Sequence, residues 1–172
     1  PDPTHVNSPD VRHPDRFEGE PTDLAWPAGV DIALSVDTLV DGVHFDGRTG
    51  PRDLGYKSLA VNLSDMAAMG ARPVAANASV IAPQFAAAWY EPFIEGMLEL
   101  AHAHNVTWRG ARTQYGPRRC ISVEIFGTRL PDIDFLRSSA QPGDAIVVSG
   151  TLGDAGAGLA LPDASPIDVR GG

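Results

Sequence analysis

The sequence predicts an α+β domain with a mixed, largely antiparallel sheet and helices packed on one face of that sheet. The 172 residues suit one domain, with 43% hydrophobic and 20% charged residues, as is usual for globular proteins. Segments with a two-residue apolar period, typical of strands, are interleaved with longer segments of helical apolar spacing. Because the order is mixed rather than strictly alternating, some adjacent strands are expected to pair antiparallel.

The chain is expected to divide into three parts. Residues 1–26 alternate proline with charged residues and contain few apolar side chains, which predicts an extended or poorly ordered lead-in. Residues 27–161 contain the periodic segments and form the predicted domain. Residues 162–172 form an irregular tail.

The first strand and the first helix come from the region that begins the domain. Apolar and polar residues alternate over 30–36, which predicts a strand with Asp37 at or just beyond its carboxyl end. A helix is predicted to begin at Pro51, because proline suits the first turn, and to run to about residue 69. Gly70 is placed to end it.

The inner face of this helix is predicted from Leu54, Val61 and Ala68, which recur every seven residues. Asp65 lies four residues after Val61 and is expected to point the same way. Asp37 and Asp65 each interrupt an apolar run, and a buried carboxylate needs a partner because an unpaired buried charge is very costly. A hard divalent cation is the first candidate for that partner.

The rest of the domain continues with further strands and helices. An apolar stripe that includes Phe93 and Met97 predicts a helix over 83–104, in which Pro92 either starts a new helix or kinks the old one. A helix of small residues is predicted over 150–161. The other predicted strands cover residues 73–81, 106–108, 121–128 and 145–149.

The net charge and the cysteine content limit the functions that this chain is expected to have. The net charge of −9 argues against non-specific nucleic-acid binding, which requires a basic face. An acidic protein that handles phosphates is expected to use metal ions to offset its own charge. Cys120 is the single cysteine, so no internal disulfide forms. The chain has no long apolar run and no signal-peptide core, so no membrane contact and a cytoplasmic location are expected.

Four ordered motifs occur along the domain. They are Ser-Val-Asp-Thr-Leu-Val-Asp-Gly-Val-His-Phe at 35–45, Asn-Leu-Ser-Asp-Met-Ala-Ala-Met-Gly-Ala at 62–71, Arg-Ser-Ser-Ala-Gln-Pro-Gly-Asp at 137–144, and Thr-Leu-Gly-Asp-Ala-Gly-Ala-Gly at 151–158. Together they resemble the N-terminal domain of the thiamine-monophosphate kinase family, within the wider group of aminoimidazole ribonucleotide synthetase. The resemblance implies ATP-dependent phosphorylation of thiamine monophosphate to thiamine diphosphate with several Mg²⁺ ions. It also implies a homodimer whose N-terminal domains share a barrel-like sheet.

The resemblance further implies roles for individual residues. His44 would contact the substrate, and Arg137 would contact the ATP phosphates. Val36 stands where the family often has threonine, and a metal contact through its backbone carbonyl survives that change. No catalytic base is assigned, since the acceptor phosphate is already ionised and the main task is to neutralise charge. The metal ligands implied by the resemblance are Asp23, Ser35, Val36, Asp37 and Asp65.

Three departures from the family pattern are visible. Residues 21–25 replace an acidic motif and keep only Asp23 as a carboxylate that could bind metal. Residues 110–113 contain Arg112 where the family has an acidic metal ligand, so that Arg112 either repels metal or pairs with Asp37 in place of one ion. The family's second domain has no counterpart in this sequence, so the isolated chain is expected to have little activity.

Two other functions stay open. One is a non-catalytic domain that dimerises and binds metal or nucleotide weakly. The other is a different ATP-using member of the group, similar to carbamoyl dehydratases or selenophosphate synthetases. The latter usually depend on a reactive cysteine or selenocysteine near the N-terminus, and residues 1–30 contain none. A domain whose acidic loops do nothing is disfavoured by the four ordered motifs.

Overall fold

The computed structural model describes residues 26–131 and 135–160. Asp23, with most of the predicted lead-in and the tail, lies outside the described residues. The chain divides into two units at the boundary between Leu136 and Arg137, and the sheet belongs to the first unit.

The first unit is built on a four-stranded sheet. Its strands are β1 (Asp31–Val40), β2 (Arg72–Ala82), β3 (Thr107–Tyr115) and β4 (Cys120–Arg129). The strand order is β1-β4-β2-β3, so β1 and β3 are the edge strands. β4 pairs antiparallel with β1 and β2, whereas β2 pairs parallel with β3. The predicted mixed, largely antiparallel sheet is therefore confirmed.

Two helices cover one face of this sheet. α1 (Pro51–Ala68) follows β1 and contacts β1, β4 and β2, and α2 (Ala87–Ala103) contacts α1 and β3. This confirms the predicted packing of helices on one face. α2 begins later than predicted, and Pro92 lies inside it as part of one continuous helix. None of the helices in the described ranges is long and apolar enough to cross a membrane.

The core lies between the sheet and the two helices. β4 is a central strand with a neighbour on each side, and it turns Ile121, Val123 and Ile125 towards the helices, where all three are buried. Phe93 and Met97 of α2 are fully buried against the same core. The alternation of buried and half-buried residues along β4 is the two-residue period of a sheet with one covered face.

The predicted inner face of α1 was wrong in two of its three positions. Leu54 is buried, but Val61 is only half-buried and Ala68 is exposed. The buried positions instead recur at three to four residues, the period of a straight α-helix. They are Leu54, Gly55, Ser58, Leu59, Asn62 and Met66.

Polar side chains occupy part of this buried face and explain the error. Ser58 Oγ donates a hydrogen bond to the Leu54 carbonyl oxygen at 2.7 Å, and Asn62 Nδ2 donates to the Ser58 carbonyl oxygen at 3.1 Å. Each group meets part of its hydrogen-bonding requirement within its own helix, which allows a polar residue to be buried.

The predicted strand over 145–149 was also wrong. These residues are not in a strand, and Ile146 is 96% exposed. An apolar run becomes a strand only when a neighbouring backbone pairs with it, and the described part of the chain provides none there. The following helix, α3 (Asp154–Ala160), is shorter than predicted and belongs to the second unit.

Two glycines allow α1 and α2 to lie unusually close together. A Cβ added to Gly55 on α1 would collide with the carbonyl oxygen of Phe93, and one added to Gly96 on α2 would collide with that of Arg52. In both cases the obstacle is backbone, which cannot move aside as a flexible side chain can. The two helices therefore contact each other backbone to backbone at this point.

We expect Gly55→Ala to lower the free energy of unfolding by about 2–3 kcal/mol, because the added methyl group must push the two helices apart. Urea denaturation followed by circular dichroism measures this change. The matched control is Gly47→Ala, where an added Cβ meets open space, and its effect should stay within about 0.5 kcal/mol. Equal stability of the Gly55 variant and the control would contradict the close helix packing.

Candidate metal and phosphate site

Strand β1 turns its two candidate ligands towards the helices. Ser35 is buried and Asp37 is half-buried on the covered face, whereas Val36 between them points to the opposite face and is 54% exposed. Asp37 lies within β1 rather than at its end, because pairing with β4 continues as far as Val40. The strand thus holds the Asp37 backbone in a regular ladder.

Helix α1 runs back across β1 and brings Asp65 to Ser35. The Ser35 hydroxyl donates a hydrogen bond to Asp65 Oδ2 at 2.6 Å, between residues thirty positions apart in the chain. This length is typical of a hydroxyl bound to an ionised carboxylate. Ser35 therefore fixes the half-buried Asp65 carboxylate against the strand.

Asp37 lies beside this pair. It follows Ser35 by two residues on the same face of β1, a separation of about 6.6 Å along the strand. We call Ser35, Asp37 and Asp65 the carboxylate patch. The two carboxylates that the sequence singled out therefore lie on the same covered face, between β1 and α1.

The composition of the carboxylate patch suits one kind of metal. No group of three or more histidine, cysteine, aspartate or glutamate side chains is gathered for a metal within residues 26–131 and 135–160. A structural zinc site needs such a closed set of ligands. Mg²⁺ instead takes one or two protein carboxylates and completes its shell with water and substrate phosphates. The residues present fit Mg²⁺ shared with a phosphorylated ligand.

His44 lies in a tight turn just after β1. Its backbone N–H donates to the Val40 carbonyl oxygen at 2.9 Å, and the Val40 N–H donates to His44 Nδ1 at 3.0 Å. Nδ1 is therefore an acceptor, so the neutral ring carries its proton on Nε2. The imidazole is exposed, with Nε2 available as a donor.

Lys57 is a residue that the motif comparison missed. Its Nζ donates to the His44 carbonyl oxygen at 2.7 Å and so ties the turn to α1. A signal was present in the sequence, because Lys57 is the only lysine among thirteen basic residues.

The loop after His44 is held by an ion pair. Arg48 donates to both carboxylate oxygens of Asp46, with its Nη2 at 2.8 Å from Oδ2. Hydrogen bonds from Arg48 hold the pKa of Asp46 below its usual range. Both side chains are exposed, so the pair contributes little to overall stability.

Arg112 lies away from the carboxylate patch. Asp37 is in register with Val123, Val123 with Ala78, and Ala78 with Ala111. Arg112 follows Ala111 and points to the opposite face, three strand spacings or about 14 Å from β1. The prediction that Arg112 pairs with Asp37 in place of an ion was wrong, because the sheet separates the two side chains.

Arg137 is exposed on a turn in the second unit. Asp23 lies outside the described residues. Of the predicted site residues, the structure brings Ser35 and Asp65 into contact and places Asp37 on the same face of β1 as Ser35. His44 lies in the turn that follows β1.

A cluster of aromatic rings in the first unit holds the Arg119 guanidinium. The Arg119 guanidinium lies 3.8 Å above the Trp89 ring, which stacks on Phe93 with ring centroids 5.1 Å apart. Burial lowers the pKa of Arg119, partly opposed by the Asp41 carboxylate. Burial also raises the pKa of Tyr90, whose ring contacts the Trp89 ring. These shifts follow from packing and lie outside the carboxylate patch.

A family model described as AIR synthase related protein, N-terminal domain, matches residues 22–128. That match covers more than half of the chain, and the chain therefore belongs to this family as an N-terminal domain.

Several relatives with assigned names are similar to this chain. The thiamine-monophosphate kinase of Escherichia coli strain K12 is 42% identical over 138 residues, covering 80% of this chain and 42% of that protein. The crystal structure of thiamine-monophosphate kinase from Stenotrophomonas maltophilia K279a is 40% identical with a TM-score of 0.76, covering 88% of this chain and 48% of that one. AaThiL complexed with AMPPCP and TMP is 29% identical with a TM-score of 0.75, covering 85% and 48%.

The chain spans about two fifths of the length of the curated relatives it matches. The relatives' complete activity and substrates therefore do not pass to it directly.

We expect Ser35→Ala to lower the free energy of unfolding by about 1–3 kcal/mol, because the half-buried Asp65 carboxylate loses its donor. In a double-mutant cycle with Asp65→Asn, measured by urea denaturation, the coupling energy should exceed about 0.5 kcal/mol. Thr38→Ala is the control, since its hydroxyl contact with Ser122 is exposed on the uncovered face. A coupling energy of zero would contradict the Ser35–Asp65 bond.

Proposed function

We propose that this chain is the metal-binding N-terminal part of a thiamine-monophosphate kinase. The reaction would transfer the terminal phosphoryl group of ATP to the phosphate of thiamine monophosphate and form thiamine diphosphate. The observation that carries the proposal is the hydrogen bond from Ser35 to Asp65 on the covered face of β1, where Asp37 lies two residues beyond Ser35. The names of the relatives, and a solved relative complexed with AMPPCP and TMP, supply the substrate class.

The chemistry requires two anions to approach each other. The acceptor phosphate is already ionised, so positioning and charge neutralisation matter more than a strong base. Mg²⁺, when bound, would supply positive charge that offsets the charge of the two phosphates. Asp37 and Asp65 would hold the metal, while Ser35 orients the Asp65 carboxylate and contributes its oxygen. This division suits a metal that keeps much of its shell for water and phosphate.

The other residues complete the proposal from the family pattern. Val36 would contribute its backbone carbonyl and Asp23 a further carboxylate to the metal site. His44 would donate a hydrogen bond from Nε2 to the substrate, for which its exposed ring and accepting Nδ1 are suited. Arg137 would contact the ATP phosphates as a permanent cation. We propose 27–161 as the limits of the domain and the cytoplasm, where ATP is available, as its location.

We further propose a homodimer formed through the uncovered face of the sheet. Ile32, Leu34 and Val36 of edge strand β1 point to this face and are 50–56% exposed. Phe126 of β4 is in register with Leu34 and extends the apolar surface. A second copy is a suitable partner, because such a surface on an edge strand is a liability in a monomer.

The alternative function is a non-catalytic domain that dimerises and binds metal or nucleotide weakly. That function needs the uncovered apolar face but no phosphoryl transfer. Product formation is therefore the measurement that separates the two functions, while metal binding and dimerisation test the parts that they share.

We expect Asp37→Asn and Asp65→Asn each to weaken Mg²⁺ binding by about tenfold or more, measured by isothermal titration calorimetry, because each removes one of two carboxylates. Arg112→Gln is the matched control and should change affinity less than about twofold, since Arg112 is more than a Debye length away. Unchanged Mg²⁺ affinity in both aspartate variants would overturn the metal assignment.

The reaction itself is tested by following thiamine diphosphate formation from ATP and thiamine monophosphate by chromatography. Turnover on the order of 1 per second, abolished by EDTA, would support a complete kinase. Intact Mg²⁺ binding without product would support the expectation that this chain needs further parts to act.

We expect Leu34→Glu to convert the dimer to a monomer, because the charge would be buried against the second copy. Sedimentation velocity measures the change in mass. Tyr56→Glu introduces the same charge at an exposed apolar position on α1 and should leave the dimer intact. A monomeric parent chain, or a Leu34 variant that stays dimeric, would refute the proposed interface.

A further inference from the structure

The turn after β1 is held at three points that converge on His44. The His44 N–H donates to the Val40 carbonyl oxygen, and the Val40 N–H donates to His44 Nδ1. The Lys57 ammonium then binds the His44 carbonyl oxygen at 2.7 Å. Backbone, ring and carbonyl of one exposed histidine are thus all engaged, which is unusual for a solvent-facing side chain.

The Lys57 side chain links α1 to the turn through its charged ammonium group. It lies on α1, whereas His44 lies on the turn that precedes the helix, so the contact joins two separate elements. Ordering a lysine side chain costs conformational entropy, so an ammonium that stays bound to a carbonyl must gain more than it loses. Without this contact, the turn has one fewer restraint against moving away from α1.

We infer that Lys57 is a positioning residue for His44. It holds the turn in the geometry in which the Val40 N–H occupies Nδ1, so that the neutral imidazole is the Nε2–H tautomer and presents a hydrogen-bond donor to an anionic oxygen. The inference deepens the proposed function, because only the proposed function identifies the anionic oxygen as part of thiamine monophosphate. The geometry within the turn does not depend on the proposed function.

The test uses nitrogen NMR of the whole chain, with the His44 ring resonances assigned through a His44→Gln variant. In the parent chain, Nδ1 should resonate as an unprotonated nitrogen and Nε2 as a protonated one when the ring is neutral. In Lys57→Met the two resonances should move towards their averaged positions. Hydrogen exchange of the His44 amide should become about five- to tenfold faster.

Two variants test whether Lys57→Met acts by releasing His44 or only by removing a positive charge or lowering the stability of the protein. Lys57→Arg should restore the tautomer and the protection, because arginine can still donate to a carbonyl at that place. Arg72→Met removes an exposed cation elsewhere in the sheet and should leave the His44 signals unchanged. An unchanged tautomer and unchanged exchange in Lys57→Met would overturn the inference.

Titration with thiamine monophosphate tests the proposed function separately. Shifted His44 Nε2 signals in the parent, with weaker binding in Lys57→Met, would support both proposals. In the other outcome, the parent chain keeps a fixed tautomer that is lost in Lys57→Met, while neither protein responds to thiamine monophosphate. That result would retain Lys57 as a positioning residue. It would reject His44 as a substrate contact.

Discussion

The backbone contact between α1 and α2 at Gly55 and Gly96 is the constraint on which the rest of the structure depends. It determines how closely α2 packs beside α1, because the two backbones can approach only where both helices lack a side chain. α1 in turn carries Asp65 to Ser35 at one end and Lys57 to the His44 turn at the other. A shift of α1 would therefore move Asp65 and Lys57 together. It would separate Asp65 from Ser35 and Lys57 from the His44 turn.

Strand β1 serves two purposes through a simple alternation. Its inward residues, Ser35 and Asp37, belong to the carboxylate patch, and its outward residues, Leu34 and Val36, form the exposed apolar face. The same alternation keeps the carboxylates apart from the exposed apolar residues, because neighbouring side chains point to opposite faces. A slip of one residue in the pairing with β4 would exchange the two sets and abolish both. The register of β1 against β4 thus decides the position of both sets of side chains.

The position of Arg112 decides whether this cation acts on the carboxylate patch. A cation within the carboxylate patch would compete with metal, but Arg112 lies on the other face and across the sheet. At that distance solvent and salt screen most of its effect on Asp37. Arg112 therefore places no positive charge in the carboxylate patch.

The sequence by itself determined the fold class, the family, the existence of most helices and strands, and the candidates Asp37 and Asp65. These follow from local periodicity and from motif order, which need no knowledge of neighbours in space. Only the tertiary structure decided that Ser35 pairs with Asp65, that Arg112 faces away, and that residues 145–149 form no strand. It also decided that Ser58 and Asn62 are buried and that Lys57 holds the His44 turn. The reason is physical: which face a side chain occupies, and which partner satisfies its charge or hydrogen bond, is set by strand register and helix packing across long stretches of chain.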